Sequence, residues 1–456
     1  IVKEVDTAHH PLLMALHAKY GVPEEMVDVI QRLYTDSQLS LKIGKEKQDI
    51  PYTVGVKQGD NMAPVLFLFL MQAMAETLEA EWLKEGIKIP EFRYHKETKC
   101  VKGRMRAQST KAKGTAFSLF KILYVDDGAF MFESKKDMVR GANVVKAHFA
   151  RFGLIMHHGT EKAGSKTEAI YFPPALNSPV SDGSSDESRT EGLDGFEDDE
   201  ANFDLKTGGY ISYTKEFKYL GSIITQDLRD NTEIEGRIKK GQAAVAALIN
   251  VWRNPHIDLW MKKQLYIALP LSIALWGCES WTLTAENQRK LNTFHHKAIR
   301  KILNITMFEV EEKKITNEEV RRKLGGIKNI DEFIRQRGLD TLATQLRLPD
   351  SRLPKKLVTA WICNPRRPNQ PQKNLRATYA DHITEVIPGA SKEGILSEWA
   401  HLAREKATWD RLIGKKSHGR QTEERSGRDL LERANTYQTR TSPPLRHDAP
   451  MYHWGR

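Results

Sequence analysis

Tyr124-Val125-Asp126-Asp127 interrupts an apolar stretch, SLFKILYVDDGAFMF over residues 118–132. The stretch reads as two buried strands around a tight turn. Adjacent carboxylates repel each other, and unpaired charge in an apolar setting is costly. A divalent cation answers both problems. Two Mg²⁺ held by carboxylate oxygens can activate a 3′-hydroxyl and stabilise a leaving pyrophosphate. The same residues also suit a plain solvent-facing turn, because Asp126-Asp127-Gly128 is ordinary turn chemistry.

Other polar residues flank this pair along the chain. Gly55-Val56-Lys57-Gln58-Gly59-Asp60 precedes a long apolar run, and a glycine-flanked glutamine before a helix lets backbone and amide approach a nucleotide closely. Downstream lie Gly153-Leu154, then Lys166-Thr167-Glu168 leading into a strand, then Phe217-Lys218-Tyr219-Leu220-Gly221. Lys166 can equally be a solvated lysine at a strand edge.

The elements needed to hold these residues alternate helix and strand. Residues 11–20 read as a helix stopped by Gly21 and Pro23, and Pro23-Glu24-Glu25 opens another. Leu39, Leu41 and Ile43 alternate with polar residues, predicting a half-buried strand paired with 50–56. Asn61 is placed as the N-cap of a helix whose apolar residues recur at helical spacing from Leu66 to Trp82. A helix over 136–152, a strand over 168–172 and a short strand over 217–224 follow. From Asp230 onward the signal is helical. Ile234, Ile238, Val245, Leu248 and Trp252 share one face, with Arg237, Lys239 and Lys240 away from it. A second basic amphipathic helix spans about 285–303.

The order and spacing of these segments resemble the palm of reverse transcriptases, above all those of non-LTR (LINE-like) retrotransposons. There a G-V-x-Q-G segment precedes an x-x-D-D hairpin, and G-L-x…K-T-E and F-x-Y-L-G segments follow. Leu275-Trp276-Gly277-Cys278-Glu279-Ser280-Trp281-Thr282-Leu283 is similar to the Y-G-S-E-x-W-T-L stretch of such elements. The resemblance implies an α/β (α+β) polymerase fold and covers about residues 1–360. The palm with partial fingers would span 1–228, with an acidic disordered insert at 175–207. A helical thumb would span 229–306, a basic helical extension 307–416 and a disordered tail 417–456.

Carried over position by position, the resemblance makes Asp126 and Asp127 the metal-binding catalytic pair. Lys166 becomes the lysine that protonates the leaving pyrophosphate. Gln58, Gly59 and Tyr124 take nucleotide and template, and Tyr219, Leu220 and Gly221 grip the primer. Arg237, Lys239, Lys240 and Arg253 track backbone phosphates from the thumb. Lys290, Lys297, Arg300 and Lys301 form a similar but weaker set. The implied cofactor is Mg²⁺ or Mn²⁺. The implied partners are an RNA template, a DNA primer and dNTPs, in an intracellular setting, nuclear and cytoplasmic.

The opening residues depart from the family's D-x-x-K-A-F-D strand. Lys3 and Asp6 fall on its K and last D, so its first Asp would stand one position before Ile1. Asp6 is too far along the strand to replace it, at roughly 20 Å. Val5 stands where the family has the Phe that abuts the incoming sugar, and fills less space. The expectation is that the 456-residue chain does not polymerise by itself. A non-catalytic RNA- or DNA-binding remnant is the alternative. No endonuclease signature is read in the C-terminal half.

Composition agrees with a nucleic-acid partner. The formal net charge is +11. Residues 181–204 hold ten acids and one base, so the rest of the chain is near +20. Cys100, Cys278 and Cys363 form no C-x-x-C pair, and the apolar runs 62–75 and 265–278 read as too short and too interrupted for a membrane span. The pairs His9-His10, His157-His158 and His295-His296 lack partners at metal-ligand spacing and are read as structural. Trp276 and Trp281 are read as core, with base stacking as the alternative.

Overall fold

The computed structural model describes residues 8–57, 59–95, 98–101, 104–107, 115–125, 127–172, 202–359, 361–362, 375–387 and 399–414. Val5, Gln58 and Asp126 lie outside the described residues, as do 173–201 and everything after 414. Helices and strands mix, consistent with an α+β chain. The chain divides into two compact units. The first comprises Ile1–Arg93, Thr115–Tyr219 and Thr225–Asp227; the second comprises Tyr94–Gly114, Leu220–Ile224 and Leu228–Arg456.

The first unit is built on one apolar helix. In chain order its early elements are α1 (His10–Lys19), α2 (Glu24–Tyr34), β1 (Gln38–Ile43), β2 (Glu46–Pro51) and α3 (Ala63–Lys84). α3 buries Leu66, Phe67, Leu70, Met74, Leu78 and Trp82, the face set by helical periodicity. By length and composition alone it could cross a membrane, because the apolar run near 62–75 continues as helix to Lys84. Its N-cap is Met62, not Asn61. No side chain caps it; Asp60 Oδ1 accepts the Met62 N–H at 3.0 Å and so fixes the turn that enters the helix.

β3 (Glu91–His95), β4 (Thr98–Val101), β5 (Arg104–Ala107) and β6 (Thr115–Ser118) precede the central hairpin of β7 (Lys121–Tyr124) and β8 (Asp127–Phe130). α4 (Lys135–Arg151) then packs on α3. Ser134 Oγ caps it by accepting the Asp137 N–H, and His148 Nε2 sits 3.1 Å from Met74 O. A Cβ on Gly141 would fall 2.1 Å from the Phe132 ring, so only glycine lets α4 come this close.

Three local expectations need correction here. β1 is exposed along its whole length, Leu39, Leu41 and Ile43 included, and its partner is Glu46–Pro51, with Leu39 opposite Ile50. The two-stranded ribbon has no cover on either face among the described residues, so alternation does not become burial. β7 and β8 are half-buried to exposed rather than buried. Finally, residues 202–207 are not part of a disordered insert. β9 (Glu168–Ala169), β10 (Asn202–Asp204) and β11 (Tyr210–Tyr213) form one sheet in the order β10-β11-β9, and Phe203 and Leu205 are buried. Alternating apolar residues outweigh the acidic composition there.

The short strand expected over 217–224 is two strands. β12 (Glu216–Tyr219) and β13 (Ser222–Thr225) form a two-stranded sheet with Leu220 and Gly221 between them. Their φ angles are +48° and +85°, the pair of left-handed residues that a tight two-residue hairpin turn requires.

The second unit is helical. α5 (Asn231–Ala247), α6 (Ile249–Arg253), α7 (Leu259–Tyr266) and α8 (Ala285–Leu303) surround a core of Ile234, Trp252, Tyr266, Leu275, Trp281, Leu291, Phe294 and Ile299. The basic amphipathic helix expected over 285–303 is α8, capped by Thr284. α9 (Met307–Glu312), α10 (Asn317–Lys323) and α11 (Ile330–Arg347) each begin with a capping box. The first half of α11 completes this core at Ile334. Its second half joins another, with Leu342, Tyr379, Ile383, Trp399 and Trp409.

Candidate functional site

The β7–β8 hairpin closes with Tyr124 opposite Asp127. Val125 has φ +55°, left-handed backbone that a β-branched side chain strongly disfavours. Tyr124, Val125 and Asp127 are all exposed at this tip. Opposite the tip the hairpin is anchored to α3: Lys121 Nζ donates to Ala75 O, and the Trp82 ring packs against Phe120 and Phe132 at 4.9 and 5.0 Å. Burial holds the Lys121 ammonium below its usual pKa. The result is a rigid base with a strained, solvated, carboxylate-bearing end.

Tyr219, at the end of β12, belongs to the same unit as this tip. Its hydroxyl is buried without a hydrogen-bond partner among the described residues. Its pKa is raised, first by burial and then by the negative charge of Asp127. Two residues far apart in the chain are thus brought into electrostatic range.

The loop before α3 is held from the other side. Gly55 N–H donates to Ala8 O at 2.7 Å, and His10 Nε2 donates to Gly55 O at 2.7 Å. The Asp60 N–H closes a turn onto Lys57 O, with Gly59 at φ +89°. Among the described residues, apart from its chain neighbours, no atom comes within 4 Å of where a Gly59 Cβ would stand. Lys166 is exposed on the approach to β9, and its backbone N–H donates to His157 Nδ1 at 3.1 Å. Burial, then the Lys166 charge, depresses the His157 pKa.

In the second unit, Lys239, Lys240 and Arg253 are exposed. Arg237 is not, which corrects its placement on the solvated face. It is 7% exposed, pairs with Glu233 Oε1 at 2.6 Å, and donates to Gly221 O. Glu233 Oε2 accepts the Ile223 N–H at 2.9 Å. An i,i+4 pair that reads as surface charge is therefore an internal brace of the Leu220–Gly221 turn. Trp281 is buried as expected, but Trp276 is 56% exposed, contrary to its reading as core. Composition gave no sign of either, because an i,i+4 ion pair and an apolar-flanked tryptophan look alike inside or outside.

Comparison with known proteins adds an independent line. Residues 4–224 match the family described as reverse transcriptase (RNA-dependent DNA polymerase). Over 82 residues, 18% of the chain, it is 32% identical to two retrovirus-related Pol polyproteins. One is from the type-1 retrotransposable element R2 of Popillia japonica and the other from the type-2 element R2DM of Drosophila melanogaster. The chain spans only 14% and 8% of their lengths. It is also 21% identical, over 43% of its length and 70% of the relative's, to a putative uncharacterized transposon-derived protein of Caenorhabditis elegans. Residues 4–224 thus carry the reverse-transcriptase match, and the chain is similar over 82 residues to Pol polyproteins of R2 retrotransposable elements.

Proposed function

We propose that the chain carries the RNA-directed DNA polymerase core of a retrotransposon, acting inside the cell on an RNA template, a DNA primer and dNTPs. The observation that carries the proposal is the Tyr124–Asp127 hairpin turn, strained at Val125, within the segment matched to the family. The first unit would act as palm with partial fingers. Residues 229–306 would act as thumb, with 307–416 as an extension beyond it.

Exposed carboxylate oxygen is the right donor for Mg²⁺ or Mn²⁺. Asp127 offers it at the hairpin tip, and Asp126 is the neighbour assigned with it. The metal would supply charge stabilisation and a more nucleophilic 3′-oxygen. Gln58 and Gly59, with Tyr124 and Val5, would position the incoming nucleotide and template. Lys166 would give its proton to the pyrophosphate oxygen as it leaves. Tyr219, Leu220 and Gly221 would hold the primer end, and Lys239, Lys240 and Arg253 would meet phosphates without reading sequence.

The test is primer extension on a homopolymer RNA template with Mg²⁺ or Mn²⁺. It compares the chain with a version extended upstream of Ile1 to supply the family's first aspartate. Template-dependent product that falls by at least about 100-fold in Asp127→Asn supports the reading. Product indifferent to that change, or none from either version, overturns it. The exposed Lys239, Lys240 and Arg253 favour one second reading, nucleic-acid binding without catalysis. Its signature is salt-dependent RNA binding with no extension.

A further inference from the structure

The Leu220–Gly221 turn has an aromatic neighbour to which the family resemblance gives no role. Trp276 Nε1 lies 3.7 Å from where a Cβ on Gly221 would stand. The Arg237 guanidinium sits over the same indole, 5.9 Å from the ring centroid, while donating to Gly221 O. Glu233 locks Arg237 in place and also accepts from Ile223 N–H. Turn, ion pair and indole are one built unit.

That unit spends none of its stability on covering the ring. Trp276 is more than half exposed, and its indole N–H has no partner among the described residues. Leu269 and Ile273, seven and three positions earlier, are also partly open, which lengthens the apolar strip. The segment that carries Trp276 is net basic. Residues 229–306 hold twelve lysines and arginines against six acids, and Lys239 and Lys240 are exposed on α5. An aromatic face held rigid by a buried cation, with a free donor at its edge and carried on a net-basic segment, suits a nucleic-acid strand. An apolar protein partner has no use for the charge.

We propose that Trp276 contacts a nucleic-acid strand lying over the Leu220–Gly221 turn. The ring packs on a sugar or base and the N–H donates to a backbone oxygen. The proposal deepens, and rests on, the reading of Tyr219–Gly221 as a primer contact.

The experiment titrates the 456-residue chain with a fluorescently labelled RNA–DNA hybrid bearing a recessed DNA 3′-end. Trp276→Ala, Trp276→Phe and the Lys239→Ala/Lys240→Ala double variant are compared with the unaltered chain. Trp276→Ala is expected to weaken binding roughly tenfold, and Trp276→Phe by less than about threefold, because a smaller ring still stacks. Hybrid-induced quenching of intrinsic tryptophan emission should shrink in Trp276→Phe, a change that loss of a purely structural contact does not produce. If Trp276→Ala binds like the unaltered chain while the lysine double variant binds more weakly, the Trp276 proposal is overturned and the polymerase reading stands. If the unaltered chain shows no salt-dependent binding, both fall.

Discussion

Glu233 and Arg237 meet at 2.6 Å inside the helical unit, one turn apart on α5 and both nearly inaccessible to solvent. Glu233 Oε2 accepts the Ile223 N–H and Arg237 Nη2 donates to Gly221 O, so both side chains also hold the 220–223 backbone. Removing one partner strands a buried charge and frees the turn together. Arg237→Met should therefore cost about 3–5 kcal/mol of stability, read by denaturant unfolding. A loss below about 1 kcal/mol would mean the pair is solvated. Glu233→Gln, which keeps one acceptor for Ile223 N–H, should cost less.

Val125 and Leu220 share an unusual feature: each stands in a hairpin turn and each has positive φ. Asparagine tolerates that backbone far better than a branched apolar residue. Val125→Asn and Leu220→Asn should each stabilise the chain by about 1 kcal/mol, measured as a raised urea midpoint at unchanged slope. Destabilisation by a similar amount in either would show that the turn is not left-handed there. That both sites keep the costly residue agrees with side chains retained for contact rather than for folding.

His295 is fully buried. Its Nε2 donates to Lys328 O at 3.1 Å, and its Nδ1 accepts from the Tyr266 hydroxyl at 2.9 Å. Burial pushes its pKa down to about 3. The unfolded chain binds this proton below about pH 6.5 and the folded chain does not, so stability falls as pH drops from about 6.5 towards 3. The contribution approaches about 1.4 kcal/mol per pH unit inside that window. His295→Phe should flatten this slope while lowering stability at neutral pH by about 1–3 kcal/mol, because a hydroxyl and a carbonyl lose their partners. An unchanged acid slope in that variant would count against a neutral buried imidazole.

Lys239 and Lys240 offer a prediction in salt rather than pH. Replacing both by alanine should make the slope of log affinity against log salt shallower by about 2, with little dependence on sequence. An unaltered slope would place them away from the phosphates. Fold should be unaffected, since both side chains are exposed.

What could be read before the structure followed from periodicity and punctuation. α8 and the inward face of α3 were legible because their apolar residues recur at helical spacing. The Tyr124–Asp127 turn was legible because two acids inside an apolar stretch need a special place. The exposed β1 was not, because alternation reports a two-faced strand and cannot report whether anything covers it. Residues 202–205 were hidden by their neighbours' acidity, though Phe203 and Leu205 carry the strand. Arg237 and Trp276 exchanged the roles that composition suggests. The charged residue went inside because Gly221 O and Glu233 both receive it, and the aromatic one stayed outside beside it.

The sheet order β10-β11-β9 carries a practical consequence. β9 and β10 lie on opposite flanks of β11, each held to it by backbone hydrogen bonds and not to each other. β11 is therefore the linchpin of the sheet: Ile211→Pro, which removes a backbone donor from the middle strand, should release both flanks at once.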